Sequence, residues 1–329
     1  MEFSVIIPVY NRPDELDELL YSLTEQSYSD FEVIVVEDGS IKKSNTVIEK
    51  YKSSLSISYF EKQNSGPGLT RNEGAKKASK EYLVFFDSDC IIPKDYFRNV
   101  NDYLTKYPVE AYGGPDKALP SFTAIQKAIN YSMTSFFTTG GIRGGKKSMD
   151  KFHPRSFNLG VRRDVFNSIG GYGAMRFGED VDFSLRLLGA GFSTALISDA
   201  FVYHKRRTNF RQFFKQVNNS GIARINLHLT HPGSLKIVHW LPSAFVICMV
   251  IIILLSFFFP KLLLIPLLYC LLVFIDSYVK NKSVKVALYS ILAAWVQLFG
   301  YGTGFLVAFW NRLILKKGEF ISYEKKFYE

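Results

Sequence analysis

The stretch LVFFDSDCIIP ends an apolar run with two carboxylates one residue apart, Asp87 and Asp89. Two like charges beside a core strand are expensive to bury unless something compensates them. The cheapest compensator is a hard divalent cation, Mg²⁺ or Mn²⁺. Such an ion takes one or two carboxylates and completes its shell with substrate phosphates. Solvated loop acids are the plain alternative, because Asp-x-Asp arises by chance in many chains. Three further clusters bear on the choice. Glu37 and Asp38 close the run FEVIVVEDGS, where an acid can accept a hydrogen bond from a base imide or a ribose hydroxyl. Arg71 in GPGLTRN lies near a helix start, where a guanidinium and free backbone N–H groups favour phosphate. Glu179 and Asp180 in GED stand just before another helical stretch. An acid there is either a general base with a raised pKa or a helix cap that complements the dipole.

The elements that must hold these groups alternate in type. FSVIIPVY and FEVIVVEDGS read as strands, with a helix over 12–26 between them carrying Leu16, Leu19, Leu20 and Leu23 at helical spacing. A helix over 42–51, a short strand SISYF, a Gly/Pro turn leading into a helix, and the strand EYLVFF follow. Four β units separated by helices predict a parallel sheet covered on both faces. Ligands bind such sheets at the carboxyl ends of the strands, where VYN, EDGS and DSD all fall. Beyond Pro93, helices are expected over 94–106 and 121–138, and a strand then a short helix in FNLGVRRDVFNSIGGYG. A helix is also expected in GEDVDFSLRLLGAG, with Val181, Leu185 and Leu188 on one face, and a strand pair in FSTALISDAFVYHKRR.

These stretches, VIIPVYNRPDELDELLYSLTEQSYSDFEVIVVEDGS, GPGLTRNEGAKKASKEYLVFFDSD and GEDVDFSLRLLGAGF, occur in order. Together they resemble the inverting family 2 glycosyltransferases of GT-A fold over residues 3–205. The resemblance implies a Rossmann-like, mostly parallel sheet flanked by helices, a nucleotide-diphospho-sugar donor (a UDP-sugar favoured), Mg²⁺ or Mn²⁺, and a single displacement at the anomeric carbon. Carried over by motif, Asp38 is the nucleobase-binding acid, with Pro8, Tyr10 and Glu37 beside the nucleoside. Arg71, Asp87 and Glu179 lie on the donor side, Asp87 and Asp89 form the metal pair with Asp89 the direct ligand, and Asp180 is the catalytic base. His204 in VYHKRR resembles a late histidine that in some relatives reaches the metal or diphosphate. Two departures stand out. Glu37 replaces the more common Asp before DGS, and the Gln-x-x-Arg-Trp motif of processive polysaccharide synthases is missing after the catalytic region, which favours one sugar per event. A nucleotidyltransferase would carry a Gly-rich basic loop after the first strand, and VYNRPDE is not one. A non-catalytic membrane adaptor would have lost the DSD or GED acids.

Composition divides the 329 residues unevenly. The net charge of +10 suits an anionic partner such as a membrane surface or a phosphorylated ligand. Arg-rich repeats and zinc-ligand spacing are lacking, which argues against nucleic acid. Residues 1–207 are expected to form the catalytic domain, 208–235 an amphipathic helix in the membrane interface, 236–312 the transmembrane region, and 313–329 a basic tail. In the helix Phe210, Phe213, Phe214, Val217, Gly221 and Ile225 share a face, a pattern that an ordinary core helix also shows. The apolar stretches fall at about 237–259, 262–279 and 286–310, each near the roughly 20 residues needed to span a bilayer. The last contains Gly300, Gly302 and Gly304, so a re-entrant path is an alternative to a simple span. Asp276, beside lysines, is expected to pair or snorkel. The start MEFSVIIPVY lacks a basic region and a long apolar run. The expectation is therefore an integral protein of the inner or cell membrane with a cytosolic catalytic domain, contacting membrane lipids and a lipid-linked or glycan acceptor. The three cysteines imply no disulfide framework. The loop GGIRGGKK is a candidate cover for the donor.

Overall fold

The computed structural model describes residues 1–119, 121–139 and 152–318. The GGIRGGKK loop and Lys325 and Lys326 of the basic tail lie outside the described residues. Those described fall into two compact units, one over 1–119 and 152–205, the other over 121–139 and 206–318.

The first unit contains β1 (Phe3–Val9), α1 (Pro13–Thr24), β2 (Phe31–Asp38), α2 (Asn45–Tyr51), β3 (Ile57–Lys62), α3 (Pro67–Lys77), β4 (Tyr82–Phe86), β5 (Cys90–Ile91), α4 (Tyr96–Lys106), β6 (Ala111–Gly113) and β7 (Asp116–Lys117). Seven strands make the main sheet in the order β3-β2-β1-β4-β8-β6-β9, where β8 is Asn158–Arg162 and β9 is Thr194–Leu196. The first four strands are parallel, as the alternating pattern requires. The apolar runs of β1, β2 and β4 are buried, as strands covered on both faces must be, while β3, at the sheet edge, is only partly so. Two core layers do this: α1 and α4 supply Leu16, Leu19, Leu20, Phe97 and Val100 on one face, and Phe166, Tyr172, Phe183 and Leu187 pack on the other.

Three details lie beyond the sequence pattern. β8 runs antiparallel to both β4 and β6, so the sheet is mixed beyond β4. Both strands expected in FSTALISDAFVYHKRR are present, in different sheets. β9 joins the main sheet, while β10 (Val202–His204) lies in a second sheet of order β5-β10-β7. In α8 (Glu179–Gly189), which follows α7 (Arg163–Ser168), the buried residues are Glu179, Asp182, Phe183, Ser184 and Leu187. Val181, Leu185 and Leu188 are only partly buried. The helix is turned so that its acids face inward, where arginines neutralise them, and Phe183 and Leu187 follow Glu179 at i+4 and i+8.

The second unit is helical: α5 (Ala124–Thr134), α6 (Phe136–Thr139), α9 (Phe210–Thr230), α10 (Leu241–Ser256), α11 (Leu264–Asn281) and α12 (Val284–Ala308). Residues 121–139 therefore leave the first unit, and the boundary expected at 207 is not a single cut. The apolar face of α9 is spent on protein. Phe213 and Val217 pack with Val286 and Ala293, and Ile222 and Ile225 pack with Phe305 and Ala308. That packing is the pattern of the core-helix alternative. The glycines of α12 do not break it. A Cβ at Gly221 would lie 2.2 Å from the Tyr301 carbonyl oxygen, and one at Gly304 would lie 2.2 Å from that of Asn218. They permit backbone contact between α9 and α12, the role small residues four apart play in close helix crossings. The re-entrant alternative is corrected accordingly: α12 is one continuous helix of 25 residues. Among the described residues three helices are long and apolar enough to cross a membrane, Ile237–Ser256, Pro260–Asn281 and Val284–Ile314.

Candidate active site

The strand register brings the chemistry to one edge. Val9 pairs with Glu37, and Asp38 pairs with Lys62, so β1, β2 and β3 end together. β4 ends beside them and delivers Asp87 to Asp89. β10 pairs antiparallel with β5, setting His204 opposite Cys90 and so beside Asp89.

Arg71 is the centre of one cluster. Its guanidinium, only 3% exposed, donates from Nη2 to Asp87 Oδ1 at 2.5 Å and from Nη1 to Glu179 Oε1 at 3.1 Å. It also lies 5.4 Å from the centroid of the Tyr172 ring. Burial alone would lower the Arg71 pKa, but Asp87, Tyr172 and Glu179 outweigh it and keep the cation charged. Pro67 starts α3 with no N–H to satisfy, and Gly66 before it sits at φ 90°, a conformation glycine adopts without strain. Next in sequence, Asn72 exchanges two hydrogen bonds with the Tyr172 backbone and fixes the approach to α8. Gly68 leaves room for Glu179, whose Cγ a Cβ there would meet at 3.2 Å.

The adjacent acids of GED have opposite environments. Burial first, then the Asp180 charge, pushes Glu179 up to about 7, against the pull of Arg71. Burial would raise Asp180 too, but Arg155 outweighs it, and the carboxyl is held below its ordinary range. Arg155 Nε donates to Asp180 Oδ2 at 2.6 Å, and the Val181 N–H donates to Oδ1 at 2.8 Å. Asp180 is thus ionised and positioned, while Glu179 is poised to change protonation near neutrality.

Asp89 and His204 form the second cluster. His204 Nε2 lies 3.1 Å from Asp89 Oδ1, and Arg12 Nη1 lies 3.4 Å from Oδ2. Ligand atoms of Asp89, Cys90 and His204 all fall within 4.8 Å of one another. The Cys90 thiol is raised well above its ordinary pKa, by burial and then by Asp89 and Asp87, and so stays protonated and a poor ligand. A carboxylate with an imidazole is a donor set that fits a divalent cation, and the nitrogen favours Mn²⁺ over Mg²⁺.

At the β2 end the two acids differ in what they already hold. Glu37 is buried and accepts from Ser40 Oγ, from Ser44 N at 2.9 Å and from Tyr59 OH at 3.1 Å. Asp38 accepts from Ser65 N, Gly66 N and Lys62 Nζ at 2.9, 3.0 and 2.6 Å. A cleft of about 400 Å³ is lined by Glu37, Ser40, Lys43, Glu61 and Lys62 among others. Pro8 lies within β1, opposite Val36. Tyr10 follows the strand and leads to Asn11 at φ 55°, whose Oδ1 accepts from the N–H groups of Ile41 and Lys42. Those bonds tie the loop after β1 to the loop after β2.

Sequence reasoning missed Arg12, Lys62, Arg155 and Tyr172. Lys62 and Arg12 were within reach of the strand-end rule, since each follows or ends a parallel strand at this edge. Arg155 and Tyr172 carried no local signal.

The Glycosyl transferase family 2 model matches residues 4–170, just over half of the chain, and the chain belongs to that family. Among individual relatives, poly(ribitol-phosphate) beta-N-acetylglucosaminyltransferase TarS of Staphylococcus aureus is 37% identical over 111 residues. That match covers 32% of this chain but only 19% of TarS. Glycosyltransferase AglE of Haloferax volcanii is 27% identical over 240 residues, 71% of this chain and 76% of AglE. The fold is shared with mannosyltransferase PcManGT of Pyrobaculum calidifontis, solved with GDP-Man and Mn²⁺, at a TM-score of 0.65 and 16% identity over 91% of this chain and 87% of that one.

Proposed function

We propose that this chain is a membrane-anchored inverting glycosyltransferase. It moves one sugar per event from a nucleotide-diphospho-sugar, a UDP-sugar favoured, to a hydroxyl or phosphate of a lipid-linked acceptor in glycan assembly. The observation that carries this reading is the strand edge where Arg71, charged and buried, stands between Asp87 and Glu179 with the Asp89–His204 pair at the same strand end. That arrangement matches a leaving diphosphate, which needs fixed positive charge in a low-dielectric setting. The names of the relatives support the donor class, since TarS and PcManGT were solved with UDP-GlcNAc and GDP-Man.

In this reading Asp89 and His204 would hold Mn²⁺ or Mg²⁺, an ion that would supply positive charge towards the diphosphate. Arg71 and Asp87 orient the donor. Asp180 takes the proton of the acceptor hydroxyl as the new bond to the sugar C1 forms. The C1–oxygen bond to the diphosphate breaks on the opposite face, and inversion results. Arg155 keeps Asp180 ionised and must share it with the acceptor. The nucleoside lies by Asp38, Glu37, Pro8 and Tyr10, next to the cleft, where it shares Asp38 with Lys62. The three apolar helices anchor the chain in the cell membrane, with the catalytic unit in the cytosol where nucleotide sugars are.

Calorimetric titration of the detergent-purified chain with UDP and GDP, with and without Mn²⁺, tests this. We expect metal-dependent binding of a nucleotide diphosphate that Asp89→Ala abolishes and Asp180→Asn retains. Asp180→Asn loses turnover with the donor. Silence towards every nucleotide diphosphate in a folded protein overturns the reading.

A further inference from the structure

The segment α5–α6 is the part of the second unit that the sequence pattern assigned to soluble protein, yet it is built for an apolar surrounding. α5 opens with a capping box between Thr123 and Gln126 and buries Ala128, Ile129 and Met133 against Val286 and Ala293 of α12. Its end is fastened to α11. Tyr131 OH donates to Asp276 Oδ2 at 2.7 Å, and Lys280 Nζ donates to the same oxygen at 2.8 Å. This is the polar end of α11, where Asp276, Lys280 and Lys282 gather.

Beyond Ser135 the chain runs away from that polar end. Tyr269 OH donates to the Phe137 carbonyl at 3.3 Å. Tyr269 precedes Asp276 by seven residues, about 10 Å along a helix axis. Phe137 therefore lies level with the middle of an apolar helix whose lipid-type face, Leu264, Leu267, Leu268 and Leu271, is exposed. At that level Phe136 is 70% and Phe137 38% exposed.

The threonine and serine hydroxyls near these two rings find acceptors within the protein. Ser132 Oγ donates to Ile129 O at 3.0 Å and Thr134 Oγ1 to Asn130 O at 2.9 Å. Thr138 Oγ1 donates to the Ser132 and Ser135 carbonyls, and Thr139 Oγ1 to Ser135 O at 2.9 Å. Hydroxyls that bond back to their own helix are what a segment in hydrocarbon requires, because nothing else there will accept. An aqueous surface imposes no such condition, and it penalises two adjacent exposed phenylalanines.

We infer that α5–α6 dips into the bilayer beside α11 and seats Phe136 and Phe137 among the acyl chains of the leaflet at the Lys280 end. The inference rests on the membrane reading of α10, α11 and α12, and the experiment separates the two.

The full chain, with Cys248 and Cys270 replaced by alanine and the buried Cys90 kept, is reconstituted in phosphatidylcholine–phosphatidylglycerol vesicles. Nitroxide labels are placed one at a time at Phe136→Cys, at Leu267→Cys on α11 and at Lys52→Cys on the first unit. Collision with oxygen, which concentrates in acyl chains, is compared with collision with a water-soluble nickel chelate. The expected result is that oxygen dominates at 136 as at 267, the reverse of the order at 52. Nickel dominating at 136 while oxygen dominates at 267 overturns the inference and leaves the membrane reading intact. Nickel dominating at both overturns both. Shielding of 136 from both reagents means a second protein copy covers the patch, and also overturns it. Phe137→Cys provides the same readout if the first variant fails to fold.

Discussion

In the first unit a buried cation, Arg71, is held between Asp87 and Glu179, and Arg155 holds Asp180. In the second unit polar groups of α9 meet backbone and side-chain groups of α12 and of the turn that follows it. Asn218 Nδ2 donates to the Gly300 carbonyl at 3.1 Å, Arg312 Nε donates to Asn226 Oδ1 at 3.1 Å, and glycines let the backbones touch. The contrast shows two ways to satisfy polar groups at low dielectric. Charge against charge leaves strong fields that a substrate can use. Side-chain amides meeting a carbonyl and a guanidinium, with glycines at the contact, leave a closely packed helix pair.

The largest effect should come from removing the shared cation. Arg71→Met leaves Asp87 and Glu179 facing each other, and we expect a loss of about 3–5 kcal/mol together with loss of nucleotide binding. Denaturant titration of the purified variant measures the first and calorimetry the second. If stability is unchanged, the first unit does not depend on charge pairing in the way described.

Gly304→Val probes the other unit. Its Cβ would enter the Asn218 carbonyl, so overpacking should cost about 1–3 kcal/mol. Melting in detergent should fall while nucleotide affinity is kept. A fall in affinity instead would show that the two units are not independent in this respect.

Protonation sharpens the first unit further. The Glu179 pKa is raised from 4.5 to about 7 by burial and then by Asp180. Its contribution to stability is therefore fully present below 4.5 and is lost as pH rises through about 7. Asp180 is shifted the other way, since Arg155 outweighs burial, so its contribution is present above the ordinary 3.8 and lost as pH falls through the lowered value. Relative to wild type, Glu179→Gln should gain stability as pH rises across that upper window. Parallel pH profiles for the two proteins would remove Glu179 as the titrating group.

The smallest effect belongs to a pair of the same chemistry in water. Lys43 and Glu61 meet at 2.6 Å, but their side chains are 53% and 45% exposed. Lys43→Ala should change stability by less than about 1 kcal/mol. A larger loss would mean that exposure is not what separates this pair from the Arg71 cluster.

Local pattern was enough for the parallel half of the sheet. Alternating apolar runs and Leu spacing fix β1 to β4 and α1, because buried strands and one-sided helices leave a periodic mark. It was enough also for DSD, EDGS, GPGLTRN and GED as groups at strand and helix ends, and for three apolar stretches. It failed where a residue's partner is distant in sequence. Phe183 and Leu187 face the core rather than Leu185 and Leu188 because Arg71, about a hundred residues away, needs Glu179 inward. Gly300 and Gly304 were read as breaks because the helix they touch, α9, is some 80 residues earlier. Residues 121–139 left the first unit because their apolar face fits α12, and no local signal marks that choice.

The sequence by itself therefore determined the elements, the family to which they belong, the acids at the strand ends and the apolar helices. Each depends on periodicity or on a short motif. The tertiary structure alone decided which acid is raised and which lowered: burial and the Asp180 charge prevail over Arg71 at Glu179, while Arg155 prevails over burial at Asp180. It alone put His204 next to Asp89, through the β5–β10 register. It alone turned the face of α9 to α12 and left Phe136 and Phe137 exposed, because burial is a property of what packs against a residue and not of the residue.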